Sequence, residues 1–190
     1  DNMAEKSWQV MHMNVMKGIT TAQSNEHQRN WTERGWDFAL EKGRYDRQRE
    51  RLNFEVVKGG KIQAIDKRQS IPERMAESLL QRGIKDPNEG LAEPKYRTVV
   101  DFILSGSQNT IRQLAFGDQD VVYEPGNNLE NATLKRMPEI EQWAKDMYWF
   151  MSERFGEENI VGCYVHLDEL SPHMHLTLLP IQDGKFAFKK

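Results

Sequence analysis

Three of the chain's five histidines fall within the stretch Cys163 to Pro180, which reads C-Y-V-H-L-D-E-L-S-P-H-M-H-L-T-L-L-P. Imidazoles at His166, His173 and His175 are the residue type that holds a divalent cation. Side chains alternate faces along a strand, so His173 and His175 point the same way and Met174 the other. If Ile160 to Val165 is a strand that returns as His173 to Ile181, with the turn chemistry of Leu170-Ser171-Pro172 between them, His166 comes alongside that pair. A structural zinc site is disfavoured because no fourth ligand of the cysteine type is at hand. An open position on the ion points to Lewis-acid chemistry on a carbonyl or phosphoryl oxygen. Asp168 and Glu169, in the turn itself, can orient a ligand imidazole or act as a base.

The elements that must position this turn are legible to different degrees. Trp8 to Met13 alternates as a strand, with His12 in it as a partly buried residue or a contributor to the site. Gln23 to Trp31 is polar. Trp31, Trp36 and Phe38 interleave with Glu33, Arg34 and Asp37, either to stack bases or to anchor a short helix from Trp36 to Lys42. Leu52 to Val57 is a strand that turns at Gly59-Gly60 and returns over Lys61 to Ile65. Arg47, Arg49 and Arg51 share one face if the extended conformation begins that early, as a solvated edge or a phosphate track. Ser70 caps a helix with Ile71, Met75, Leu79 and Leu80 on one face, ended by Gly83. Tyr96 to Leu104 is the most β-like run and is expected as a central strand. Asn109 to Phe116 reads as a short helix, Gly117 to Met137 as a surface excursion, and Pro138 to Phe155 as the strongest helix, with one broad apolar stripe. This order predicts an α+β domain: an antiparallel sheet with helices packed mainly on one face.

With 38% hydrophobic and 29% charged residues the composition is that of a soluble globular chain, and 190 residues suit one domain. No apolar run is long enough to span a bilayer as a helix. The single cysteine, Cys163, excludes an intrachain disulfide and fits a reducing, cytoplasmic setting; a buried small hydrophobe is expected there. A net charge of −3 argues against a generic polyanion binder, yet Lys42, Arg44, Arg47, Arg49 and Arg51 form a basic edge.

His166-Leu-Asp-Glu-Leu-Ser-Pro-His173-Met-His175 resembles the third motif of the MobV-type relaxases, the plasmid mobilisation and recombination (Mob/Pre) proteins of the HUH endonuclease superfamily, typically H-x-D-E-x-x-P-H-x-H. Ser24-Asn-Glu-His27-Gln-Arg29-Asn is similar to their first motif, which carries the nucleophile. Arg47 to Glu55 is similar to the second, R-x-x-x-x-x-N-x-E/D. One departure stands out: many relatives have His-Asn-x-Arg where this chain has His27-Gln28-Arg29.

The resemblance implies an HUH relaxase-like palm. His166, His173 and His175 would hold Mn²⁺ or Mg²⁺ over a scissile phosphate, and His27 would attack it, with Arg29 beside it and Tyr45 as the rival nucleophile. A histidine nucleophile needs a partner on its other ring nitrogen, and Glu169 is expected in that role. Arg44, Arg47, Arg49, Arg51 and Asn53 would follow the DNA backbone, with Trp31 or Trp36 stacking a base. The implied reaction nicks single-stranded or hairpin DNA at a transfer origin, leaving a covalent 5′-phosphate adduct and a free 3′-OH. Residues 1–190 are expected to be a single nicking domain, truncated at its C-terminus. Dimerisation, or contacts to other mobilisation proteins, would then run through a C-terminal region past Lys190. A hydrolase using metal-bound water and a non-catalytic origin-binding module are the alternatives.

Overall fold

The computed structural model describes residues 10–187, so Trp8 of the first expected strand and the terminal Phe188-Lys189-Lys190 lie outside the described residues. Six strands form one antiparallel sheet in the order β1 (Val10–Met16), β4 (Val99–Ser105), β6 (His173–Leu178), β5 (Ile160–His166), β2 (Phe54–Val57), β3 (Lys61–Gln63). A small hairpin, β7 (Ile181–Gln182) with β8 (Lys185–Phe186), follows β6. The histidine strands β5 and β6 are central, where pairing on both sides leaves least freedom to move.

Alternation along the strands sorts the sheet into two faces. Phe54, Val56, Val100, Phe102, Leu104, Cys163, Val165, Met174, Leu176 and Leu178 form one apolar face, packed with Ile111, Ala115 and Phe116 of α4 (Gln108–Phe116) and Ile140, Trp143, Ala144 and Met151 of α5 (Pro138–Phe155). The stripe of α5 is thus core, as its periodicity predicts, and Cys163 is buried within it.

The opposite face is built differently. At one end Ile71, Met75 and Leu79 of α3 (Ile71–Arg82) pack on Val99, Val161 and Tyr164. Ser70 caps this helix, as expected, by accepting the amide of Glu73. Beside it lies α1 (Thr21–Gln28), a helix that its polar sequence concealed. Its start is a capping box in which Thr20 and Gln23 satisfy each other's backbone amides. Its end is fixed by Arg29 in a left-handed conformation, φ 53°. The Ser24 hydroxyl accepts the Ile71 amide at 2.9 Å, fastening α1 to the N-terminus of α3. The histidines occupy the remainder of this face.

Two expectations change. Arg47, Arg49 and Arg51 do not share an extended face, because the chain turns at Arg47–Arg49 and makes a 3-10 helix at Glu50–Leu52 before entering β2. His12 is exposed: β1 is an edge strand, and its side chains from Met11 to Asn14 are solvated. The hairpin turns at Gly59-Gly60 as expected, but its loop also takes in Lys58, and the return strand stops at Gln63. Gly60, at φ 72°, lies against Trp149, whose indole nitrogen would be 2.6 Å from any added Cβ.

Candidate active site

His166 and His173 are directly opposed in the β5–β6 ladder, and His175 follows two residues on, opposite Tyr164. Their donor atoms all lie within 4.8 Å of one another. Nε2–H of His166 is donated to the carbonyl of His27 at 2.7 Å, and Nδ1–H of His173 to the carbonyl of Ser171 at 2.9 Å. Each ring therefore turns its other nitrogen inward, and these two nitrogens, Nδ1 of His166 and Nε2 of His173, stand 3.4 Å apart. Nε2 of His173 also faces the Glu169 carboxylate at 3.2 Å, which favours a proton there; a cation would displace that proton and meet both nitrogens, with carbonyls holding the two rings from behind. A divalent cation fits this donor set. An all-imidazole set suits Mn²⁺ better than oxygen-seeking Mg²⁺.

Burial, aided by the charge of Arg29, pushes the pKa of His166 well below the usual imidazole range and keeps that ring neutral. Burial works the same way on His173, but the hydrogen bond and charge of Glu169 outweigh it and raise that pKa. Burial would raise the Glu169 carboxyl; its contacts with His173 at 3.2 Å and Arg29 at 2.8 Å instead hold it at about 2.

The turn that joins the two strands is held by its neighbours at nearly every residue. The Asn53 side-chain oxygen accepts the Leu167 amide at 2.6 Å, and Arg49 donates to the carbonyls of Leu167 and Glu169. The Asp46 amide donates to the Asp168 carbonyl, Arg112 to that of Leu170, and the Ser105 hydroxyl to that of Pro172. Arg29 grips the Asp168 carboxylate through Nε at 2.8 Å and Nη2 at 2.9 Å.

Asn53→Ala leaves the buried amide of Leu167 unpaired and is expected to cost about 1–3 kcal/mol, read from the urea midpoint at unchanged m-value.

His27 sits at the end of α1 with its ring centroid 4.5 Å from that of His175. Burial first, and then the charge of His175, lowers its pKa to about 4, so the ring is neutral at ordinary pH. A cavity of about 320 Å³ opens onto His27, His175 and Asp101 between β1 and α1. Larger cavities of about 510 and 560 Å³ line α3 and contain none of the histidines.

Several expected roles need correcting. Glu169 does not partner His27; it is engaged by Arg29 and His173, at the far side of the three-imidazole cluster. The carboxylate nearest His27 is Asp101 of β4, with Oδ2 at 3.9 Å from His27 Nε2 and 3.5 Å from His175 Nδ1. Its signal was present in the sequence: alternation places Asp101 on the face opposite Val100 and Phe102, the face of the histidines.

Arg29 is 1% exposed, with its guanidinium committed to Asp168, Glu169 and the Glu26 carbonyl, so it positions the turn and has no surface to offer a substrate. Arg49 and Asn53 are buried against the same turn and are not part of a nucleic-acid track. Trp36, 3% exposed, together with Ala39 of the same helix anchors α2 (Glu33–Glu41) to Tyr45. Tyr45 is locked under Arg29, 4.4 Å from its ring, between Trp31 and Trp36, and burial raises its pKa to about 12; it is not poised as a nucleophile. Arg51 is exposed but spends its Nη2 on the carbonyls of Asn131, Ala132 and Leu134. Arg44 is exposed, Arg47 is half-buried, stacked on Trp36 and paired with Glu33, and Trp31 is half-buried.

The family described as plasmid recombination enzyme (Mob_Pre) matches residues 105–190. The plasmid recombination enzyme type 2 of Staphylococcus aureus strain N315 is 43% identical over 51 residues, 27% of this chain and 12% of the relative. That of Streptococcus agalactiae is 45% identical over 40 residues, 21% of this chain and 8% of its own length. These matched stretches span only about an eighth or less of the relatives they match. The fold is that of the MobM relaxase domain (MOBV; Mob_Pre), solved Mn-bound with plasmid pMV158 oriT DNA. The TM-score is 0.62 at 18% identity, covering 95% of this chain and 74% of that one. A second Mn-bound form of the same domain gives 0.59 at 19% identity. The resemblance to MobV-type relaxases read from the third motif is borne out.

Proposed function

We propose, with the likeness to MobV-type relaxases as premise, that this chain nicks single-stranded DNA at a transfer origin by transesterification, in the bacterial cytoplasm, as a step in plasmid or mobile-element mobilisation. The observation that carries this reading is the placement of His27. Its own carbonyl orients the ligand His166, and its neutral ring lies against the ligand His175.

Attack by a His27 ring nitrogen on phosphorus forms the N–P bond and breaks the P–O3′ bond. The ring gives up its N–H proton, the leaving 3′-oxygen takes one up, and the products are a protein–5′-phosphate adduct and a free 3′-OH. Retaining the bond in an adduct allows the strand to be rejoined later. His166, His173 and His175 would hold a divalent cation, Mn²⁺ before Mg²⁺, that polarises a phosphoryl oxygen and neutralises developing charge. Arg29, Asp168, Arg49 and Asn53 keep the turn in place, and Glu169 fixes His173. Arg44, Arg47 and Trp31 remain to meet the DNA backbone and a base beyond the site.

The test is incubation with Mn²⁺ and a single-stranded origin oligonucleotide, resolved on a denaturing gel. A covalent protein–DNA band is expected, absent when EDTA is present and retained in Tyr45→Phe. Cleavage without the band would favour a metal-bound-water hydrolase, and binding without cleavage a non-catalytic module.

A further inference from the structure

The carboxylate of Asp101 has a geometry that hydrogen bonding does not explain. Its Oδ2 stands 3.5 Å from Nδ1 of His175 and 3.9 Å from Nε2 of His27, both outside hydrogen-bond range. Thr177 restrains its other oxygen at 3.4 Å from the neighbouring strand. Nδ1 of His175 is buried and has no hydrogen-bond partner among the described residues, and His27 is 7% exposed. The donor atoms of His27, Asp101 and His175 all lie within 4.8 Å of one another. Ligands at about 2.0–2.1 Å from a tetrahedral ion are separated by roughly 3.3–3.5 Å, so the His175–Asp101 spacing matches a ligand edge and the His27–Asp101 spacing of 3.9 Å is a few tenths of an ångström longer. The cavity of about 320 Å³ beside Asn14, Gln23 and Glu26 leads to this cluster and leaves room for a water as fourth ligand.

We propose that His27, Asp101 and His175 form a second site for a divalent cation such as Zn²⁺, and that its occupation silences the enzyme. The site itself follows from the geometry; the silencing rests on His27 being the nucleophile. A neutral imidazole has one lone pair, so His175 serves one ion at a time and the two sites exclude each other. An ion in the second site occupies the lone pair of His27 and removes His175 from the three-imidazole set. The ion's position, not merely its presence, then decides whether the nucleophile is free.

Zn²⁺ titration by calorimetry, without DNA, reads the site directly. His173→Ala, which removes a ligand of the three-imidazole set only, is expected to retain one Zn²⁺. Adding Asp101→Asn is expected to weaken that binding by more than about ten-fold, the least that loss of even an outer ligand partner causes. His27→Ala in the same background is expected to do likewise, which guards against misfolding of one variant. Zn²⁺ binding unchanged by both substitutions, or no binding in His173→Ala, would overturn the site. In the Mn²⁺-supported reaction of the unaltered protein, added Zn²⁺ is expected to suppress adduct formation, and Asp101→Asn is expected to need at least about ten-fold more Zn²⁺ for the same suppression; equal suppression in both would place the inhibiting ion in the three-imidazole set and contradict the silencing. Asp101-dependent binding without suppression would leave the site standing and contradict the reading of His27 as nucleophile.

Discussion

Arg29→Leu is expected to destabilise the domain by about 3–5 kcal/mol, more than any other single change at the site. The guanidinium is 1% exposed and the Asp168 carboxylate is fully buried; removing one partner leaves the other charged, desolvated and unpaired. Burial alone would make Arg29 easier to deprotonate, but the charge and hydrogen bonds of Asp168, with Glu169, keep it firmly protonated. For a chain of this size the loss corresponds to a fall in Tm of roughly 6–20 °C, measurable by calorimetry. The double variant Arg29→Leu/Asp168→Asn should recover part of it, since the fully buried carboxylate is then no longer charged, while Glu169 keeps His173. A single-variant cost below about 1 kcal/mol would mean that the pair behaves as a solvated surface bridge, contrary to its burial. The consequence for function is positional: Arg29 is the link between α1, which carries His27, and the turn between His166 and His173.

His27→Ala is expected to lower the rate of adduct formation by a factor on the order of 10⁶, the scale seen when a covalent nucleophile is removed. Stability should change little by comparison, because the His27 ring nitrogens make no hydrogen bond among the described residues beyond their proximity to Asp101. The backbone carbonyl that orients His166 survives the substitution, so Mn²⁺ binding is expected to persist while the covalent band disappears. Measuring cation affinity and band intensity on the same preparation separates the two effects. Loss of cation binding together with the band would show that His27 acts through the three-imidazole set and not as the attacking group.

The parts of this arrangement readable in advance were those fixed by local periodicity. His166, His173 and His175 converge because strand alternation and the Ser171-Pro172 turn leave them little choice, and the α5 stripe is core for the same reason. The α1 helix was hidden because its residues are polar on all sides; its stability comes from the capping box at Thr20 and the tertiary bonds of Ser24 and Gln28. The arginine stretch misled because charge suggests surface, whereas Arg49 finds backbone carbonyls and Asp46 in the interior. Asp101 was overlooked inside the most β-like run, since its proximity to His27 depends on how α1 packs across the sheet, a contact no local pattern encodes. The pairing of His27 with Glu169 fails for the same reason: the two lie in different motifs, and the fold hands Glu169 to Arg29 and His173.

The most direct test of the account is the identity of the residue that carries the DNA. Proteolysis of the adduct formed with Mn²⁺ and an origin oligonucleotide, followed by mass spectrometry of the DNA-linked peptide, places the bond. The expected peptide contains His27, joined through a phosphorus–nitrogen bond that mild acid cleaves and alkali leaves intact. An acid-stable adduct on a peptide containing Tyr45, or nicked DNA with no linked peptide, would contradict it.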